Sequence, residues 1–271
     1  MLDRVTLAGD RAGKAHWDTT WQQAGVPMRV AAIDGPGRWN HVNRGVARFL
    51  TKWAKPGEPC PRLIELGCAR SIWLPFFAGR LGYSVTGLDY SELGCELART
   101  TLAAANTEGT VVLGDFFDPP SDLVRQFDTA FSLGVAEHFD DTGACIAAFS
   151  RFLKVGGRLI TIIPNMTGVP GTLQKFLNQP VYDKHIPLDR TGLAVAHQAA
   201  GLRIVDAGYL FSTNFGVLNL TGVPTGTASW AAKRLLMAAL ARMSLLGWQL
   251  EPVLPAVQLF AAYVYCVADK P

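Results

Sequence analysis

The sequence predicts an α/β protein built on a doubly wound, mostly parallel seven-stranded sheet, with helices on both faces and an α-helical cap. Three observations predict it. From residue 62 short apolar runs alternate with stretches of helical period for about 100 residues. The early runs close on a glycine or an acid, at Gly67, Asp89 and Asp115. The run 158–164 is apolar nearly throughout, the pattern of a strand covered on both faces.

Residues 62–67 form the first predicted strand, and 72–81 carry the bulky apolar face of a helix. Residues 84–90 are the second strand, after which Ser91 caps a helix with Glu92 in its first turn. Strands follow at 111–116 and 127–135. The next helix is expected to place Ile146, Phe149, Phe152 and Leu153 on one face and to stop at Gly156 and Gly157, ahead of the fifth strand at 158–164. A helix over 188–201 and strands over 202–211 and 259–268 complete the alternation. Asp118-Pro119-Pro120-Ser121 precedes strand four and lacks an aromatic, so its prolines open a short helix.

The rest of the chain lies outside this rhythm and sets the expected domains. Residues 1–55 read as an N-terminal cap segment, 56–213 with 257–271 as the core, and 214–256 as a cap insertion between the last two strands. In that insertion Leu236, Leu240 and Met243 recur at helical spacing, an apolar stripe expected to shape an acceptor pocket over the sheet's carboxyl edge. Residues 165–187 form a further insertion after strand five.

Composition narrows the function classes. The 271 residues are 49% hydrophobic and 17% charged, which excludes disorder as the main state. The net charge is only +3 and no run of like charges stands out, so a nucleic-acid partner is not expected. Cys60, Cys68, Cys95, Cys145 and Cys266 are scattered without a C-x-x-C pair, so neither a metal nor a disulfide framework is expected, and a reducing cytoplasm fits. The opening residues Met1 to Arg4 carry charge rather than an apolar leader. The most apolar stretch, 235–268, is broken by Arg242, Glu251, Pro252 and Pro255, so no membrane insertion is expected.

Ligands of open α/β sheets bind at the carboxyl ends of the strands, near the point where strand order reverses. Strand one closes on Glu65-Leu66-Gly67-Cys68-Ala69, where a glycine permits close approach of a ligand to backbone. Strand two closes on Asp89-Tyr90, an acid placed to accept hydrogen bonds from two ribose hydroxyls. Strand three closes on Asp115-Phe116, an acceptor beside an aromatic face. Strand four closes on Gly134, followed by Glu137-His138.

At these residues the chain resembles the class I S-adenosylmethionine-dependent methyltransferases. That family carries acid-x-Gly-x-Gly-x-Gly after the first strand, an acid gripping the ribose after the second, an acid near the adenine after the third, and often Glu-His after the fourth. Glu65, Gly67, Asp89, Asp115, Glu137 and His138 match in order, whereas Ala69 and Ser71 replace two glycines. The resemblance implies a Rossmann-like core over about residues 60–211. It implies S-adenosylmethionine as cofactor, held by these residues together with Cys68, Ala69, Tyr90, Phe116 and Gly134. Trp17 and Trp21, four residues apart on one helical face, are similar to the paired tryptophans ahead of the core in thiopurine and thiol methyltransferases, and are expected at the cofactor too.

The reaction so implied is methyl transfer to an oxygen, nitrogen or sulfur of a small, largely apolar or aromatic acceptor. A sulfonium methyl is already electrophilic, so the protein must position, exclude water and, where needed, take a proton. His138 and His185 are the candidate bases. A nucleic-acid or protein acceptor and a noncatalytic S-adenosylmethionine-binding module are the competing readings.

Overall fold

A computed structural model describes residues 9–24, 33, 37–54 and 59–271. The opening residues 1–4 and the expected cap boundary at residue 55 lie outside them. Seven strands form one sheet in the order β3-β2-β1-β4-β5-β7-β6. They are β1 (Arg62–Leu66), β2 (Ser84–Asp89), β3 (Thr110–Leu113), β4 (Phe127–Leu133), β5 (Leu153–Pro164), β6 (Arg203–Leu210) and β7 (Tyr263–Asp269). All neighbours pair parallel except β7, which runs antiparallel between β5 and β6. The order reverses between β1 and β4, so their carboxyl ends open a crevice.

Alternation along each strand feeds two cores. In β1, Ile64 and Leu66 face one side and Leu63 the other; in β5, Leu159 and Ile163 face the first side and Ile160 and Ile162 the second. On the first face pack Ile146 and Phe149 of α5 (Thr142–Ser150) and Leu193 of α8 (Arg190–Ala199). On the second pack α2 (His41–Trp53), α3 (Trp73–Leu81) and α4 (Glu92–Ala104). Phe77, Phe127, Phe131 and Phe149 are fully buried, so the sheet is covered on both sides as its apolar strands require.

Local signals set the boundaries. Ser91 Oγ accepts from the Gly94 N–H at 3.0 Å and starts α4, while Gly82, with φ of 72°, ends α3. Pro120 leads into a three-residue 3₁₀ turn, Ser121–Leu123. The structure departs from the sequence reading at Gly156 and Gly157. The α5 helix has already ended at Ser150, and the glycines lie inside β5, where Gly156 takes φ of 76° and the register against β4 shifts. Leu153 is therefore a strand residue. A glycine pair ends a helix or bulges a strand equally well, and here the Gly156 N–H donates to the Lys270 carbonyl of the chain's end.

Beyond the sheet, α1 (Lys14–Ala24) crosses toward the carboxyl edge, and α9 (Ala228–Leu250) forms a separate layer. Leu240 of α9 is buried with Phe215, Leu218 and Leu177, the last from α6 (Val169–Leu177), and Leu236 and Met237 pack against them. The expected stripe holds at Leu236 and Leu240 but not at Met243, which is exposed, because Ser244 and Gly247 are the buried positions of the next turn. A Cβ at Gly247 would lie 2.4 Å from the Thr213 carbonyl oxygen, so this turn meets the chain by backbone.

Candidate functional site

The carboxyl ends of β1, β2 and β4 surround a cleft of about 530 Å³. Gly67 leaves β1 with φ of 75°, and a Cβ there would lie 2.5 Å from Val135 Cγ2. Only glycine satisfies both constraints without strain. The Gly67 N–H donates to the Leu88 carbonyl at 2.8 Å, binding the loop to β2.

The two residues that replace the family's glycines each have a place. The Ala69 N–H donates to Asp89 Oδ2 at 3.0 Å, and the Ala69 methyl faces Gly94 across a gap that a Cβ at residue 94 would narrow to 3.2 Å. Ser71 Oγ donates to Glu65 Oε2 at 2.7 Å and accepts from the Trp73 N–H at 2.9 Å. One hydroxyl thereby partners the buried acid and satisfies an orphan donor at the start of α3. Burial pushes Glu65 up to about 8, with Asp89 adding to the rise and the Ser71 bond opposing it.

Asp89 is 6% exposed, and its oxygens accept from the Ala69 and Ser91 N–H groups at 3.0 and 2.9 Å. Burial nevertheless raises it to about 6. Each carboxylate oxygen has a further lone pair, so the group can still accept from a ligand hydroxyl.

Eleven of the expected site residues line the cleft: Trp17, Trp21, Glu65, Gly67, Cys68, Ala69, Asp89, Tyr90, Phe116, Gly134 and His138. Asp115, Glu137 and His185 are not part of its wall. Asp115 Oδ1 accepts from the Phe117 N–H at 2.8 Å, a local turn that draws the carboxylate back to its own backbone. Phe116 alone of that pair faces the cleft, braced edge-on by Phe149 and Phe139.

The α1 segment supplies one wall. Ser91 Oγ donates to Asp18 Oδ1 at 2.6 Å, the Tyr90 hydroxyl to Asp10 Oδ2 at 3.1 Å, and the Arg11 N–H to the His138 carbonyl at 2.8 Å. Trp17 stacks on Trp21 with centroids 5.3 Å apart and meets His138 edge-on at 5.1 Å. Sequence reasoning missed Asp10 and Arg70, which also line the cleft. Asp10 gives no signal before folding because its partner Tyr90 is distant in sequence. Arg70 had one, a base in the first loop, and its Nε is buried without a hydrogen-bond partner.

His138 and His185 come together with ring centroids 4.7 Å apart. His138 Nδ1 lies 2.8 Å from the Lys184 carbonyl and His185 Nδ1 2.8 Å from the Val181 carbonyl. Carbonyls only accept, so each Nδ1 carries the proton and each Nε2 presents a lone pair. Burial, then the neighbouring imidazole, pushes His138 down to about 3, and burial lowers His185 as well. Both rings are neutral at physiological pH, and His138 is a far weaker base than a free imidazole. Glu137 lies beside them, 1% exposed, with burial raising it to about 8.

Residues 64–161 match the family described as a methyltransferase domain. Curated relatives include ubiquinone biosynthesis O-methyltransferases. That of Dinoroseobacter shibae is 27% identical over 165 residues, 59% of this chain and 62% of the relative. That of Thiobacillus denitrificans is 27% identical over 108 residues, 39% of this chain and 46% of the relative. The match thus spans less than two thirds of these relatives. Among solved structures, the [4+2]-cyclase SpnF superposes with a TM-score of 0.65 at 15% identity, covering 97% of both chains. Geranyl diphosphate C-methyltransferase from Streptomyces coelicolor A3(2), solved with S-adenosyl-L-homocysteine, superposes at 0.57 with 17% identity, covering 91% of this chain and 90% of the other. The strand order, the loop at Gly67 and the acid at Asp89 agree with these matches: residues 64–161 carry a methyltransferase domain, and the chain has the class I S-adenosylmethionine-dependent methyltransferase fold.

Proposed function

We propose that the chain transfers the methyl group of S-adenosylmethionine to a small, largely apolar or aromatic acceptor, with oxygen as the favoured acceptor atom. The observation that carries this reading is the cleft at the β1/β4 switch point, where Asp89, the left-handed Gly67 turn and the buried Arg70 Nε converge. The donor set fits the cofactor. Asp89 accepts from ribose hydroxyls, Phe116 and Tyr90 offer faces to an adenine, and the unpartnered Arg70 Nε suits the methionine carboxylate. Oxygen is favoured because the curated relatives are named O-methyltransferases.

When bound, S-adenosylmethionine supplies an activated methyl group on a cationic sulfur. The protein's own part is positioning and exclusion of water. Trp17 and Trp21 close over the cofactor, and Val135, Phe139 and Leu133 give the remaining wall an apolar and aromatic character that suits a planar acceptor. His138, neutral and fixed by the Lys184 carbonyl, orients rather than deprotonates at neutral pH. An acceptor with an acidic hydroxyl, such as a phenol bearing electron-withdrawing groups, needs the least help with its proton.

Incubation with S-adenosylmethionine and a panel of phenolic, thiol and amine acceptors, with S-adenosylhomocysteine as the readout, tests the reading. Turnover with phenols above thiols and amines is expected. Cofactor binding without turnover on any acceptor would favour the noncatalytic module. The 214–256 insertion, whose residues do not line the cleft, is proposed to act as a cap on the acceptor side, since both it and residues 165–187 leave the sheet at its carboxyl edge.

A further inference from the structure

We infer that Glu137, His138 and His185 bind one divalent first-row transition-metal ion just beneath the wall of the cleft. One candidate ligand atom from each lies within 4.8 Å of the others, and all three side chains are buried. Sequence spacing does not reveal the trio, because His185 comes from the insertion after β5 while Glu137 and His138 form the turn after β4.

Two features single out this trio. The first is that Glu137 keeps both carboxyl oxygens buried without any hydrogen-bond partner. A buried, unpaired acid is costly, and native proteins rarely leave one unanswered. The second is the fixed orientation of both imidazoles. With Nδ1–H donated to the Lys184 and Val181 carbonyls, each Nε2 lone pair is left for a ligand, the outer-shell arrangement typical of metal-bound histidine. His138 Nε2 stands 3.6 Å from Glu137 Oε1, too long for a hydrogen bond. Ligand atoms at bond lengths of about 2.0–2.2 Å from a shared ion sit roughly 3–4 Å apart, a range the 3.6 Å between His138 Nε2 and Glu137 Oε1 meets, and the 4.8 Å that bounds the trio needs only a small closing movement of one side chain to reach it.

The donor set also selects the ion. Two imidazole nitrogens and one carboxylate favour zinc, cobalt, manganese or iron(II) over the hard magnesium and calcium ions. The ammonium of Lys184 lies within electrostatic reach of both imidazoles, so ligand bonds rather than net negative charge must hold the cation. The ion would tie the turn after β4 to the 165–187 insertion, beside the bond that the Ile186 N–H already donates to the Glu137 carbonyl at 2.7 Å. This inference rests on side-chain geometry and is independent of the methyl-transfer proposal.

The test uses the full chain, stripped with a chelator, titrated with cobalt(II), then desalted. Bound cobalt is measured by elemental analysis and its environment by visible absorption. Cys60 is exposed, so Cys60→Ser removes a competing thiol and serves as the parent. One cobalt per chain with ligand-field bands is expected in that parent, with at least tenfold weaker binding in His185→Ala and Glu137→Gln. Should His185→Ala fail to fold, the near-isosteric Glu137→Gln decides. No retained cobalt in the parent, or unchanged binding in folded Glu137→Gln, would overturn the site.

Discussion

Asp89 combines two tasks that pull its chemistry in opposite directions: it closes the loop through the Ala69 and Ser91 N–H groups, and it lines the cleft while itself almost fully buried. Burial lifts its titration to about 6, above the ordinary carboxylate range. The protonated form is thereby favoured in the folded protein, so this group's contribution to stability is full below pH 4 and is lost as pH rises through about 6. A ligand that needs the ionised acid follows the reverse order. Affinity for S-adenosylhomocysteine should fall as pH drops below 6, and Asp89→Asn should flatten that dependence. Two charge-assisted bonds of about 1.5–3 kcal/mol each are at stake, so Asp89→Asn should weaken binding at pH 7.5 by tenfold or more. Calorimetry across pH 5–8 measures both effects.

Gly67 gives a second residue-scale expectation. Gly67→Ala forces a positive φ on an alanine and drives its methyl into Val135, so a loss of about 1–3 kcal/mol of stability is expected. Adding Val135→Ala should recover part of it, as denaturant melts of the single and double variants would show; no recovery would place the strain in the backbone alone. Gly67 and Asp89 were legible in the sequence because strand ends advertise themselves. Asp115 follows an equivalent strand end but does not line the cleft: whether such an acid faces a ligand or caps its own turn, as Asp115 does with Phe117, depends on backbone angles that a single sequence does not display.

At the scale of elements, α1 closes the cleft through side chains that sequence spacing had paired. Trp17 and Trp21 stack as their four-residue interval requires, and Trp17 also reaches His138. Trp17→Ala should weaken S-adenosylhomocysteine binding several-fold, and the tryptophan fluorescence change on binding should shrink in the variant, which a fluorescence titration reads directly. The α9 layer behaves differently. Its buried residues pack on α6 and on the segment 213–218 rather than around the cleft, so replacing residues 214–256 by a short glycine-serine linker should leave cofactor affinity within a few fold, while loss of the proposed acceptor cap should abolish transfer. Helical periodicity announced this helix, but not which face is covered. Met243 and Leu240 both fit an apolar stripe, and only the approach of Thr213 to Gly247 decides between them. The same limit governed Gly156 and Gly157, whose role as a bulge depends on pairing with the chain's last residues.

Over the whole molecule, the parallel strands β1 to β4 and the N-terminal segment bring five stretches of chain distant in sequence to one carboxyl edge. The alternation of strands and helices made the sheet legible. The meeting of Glu137, His138 and His185 was hidden because it depends on an insertion with no periodic signature. The central claim is that the β1/β4 crevice is an S-adenosylmethionine site, and calorimetric titration of the full chain with S-adenosylhomocysteine tests it most directly. Saturable one-to-one binding, weakened tenfold or more in folded Asp89→Asn, is the predicted result; absence of binding at millimolar ligand, or equal affinity in that variant, would contradict it.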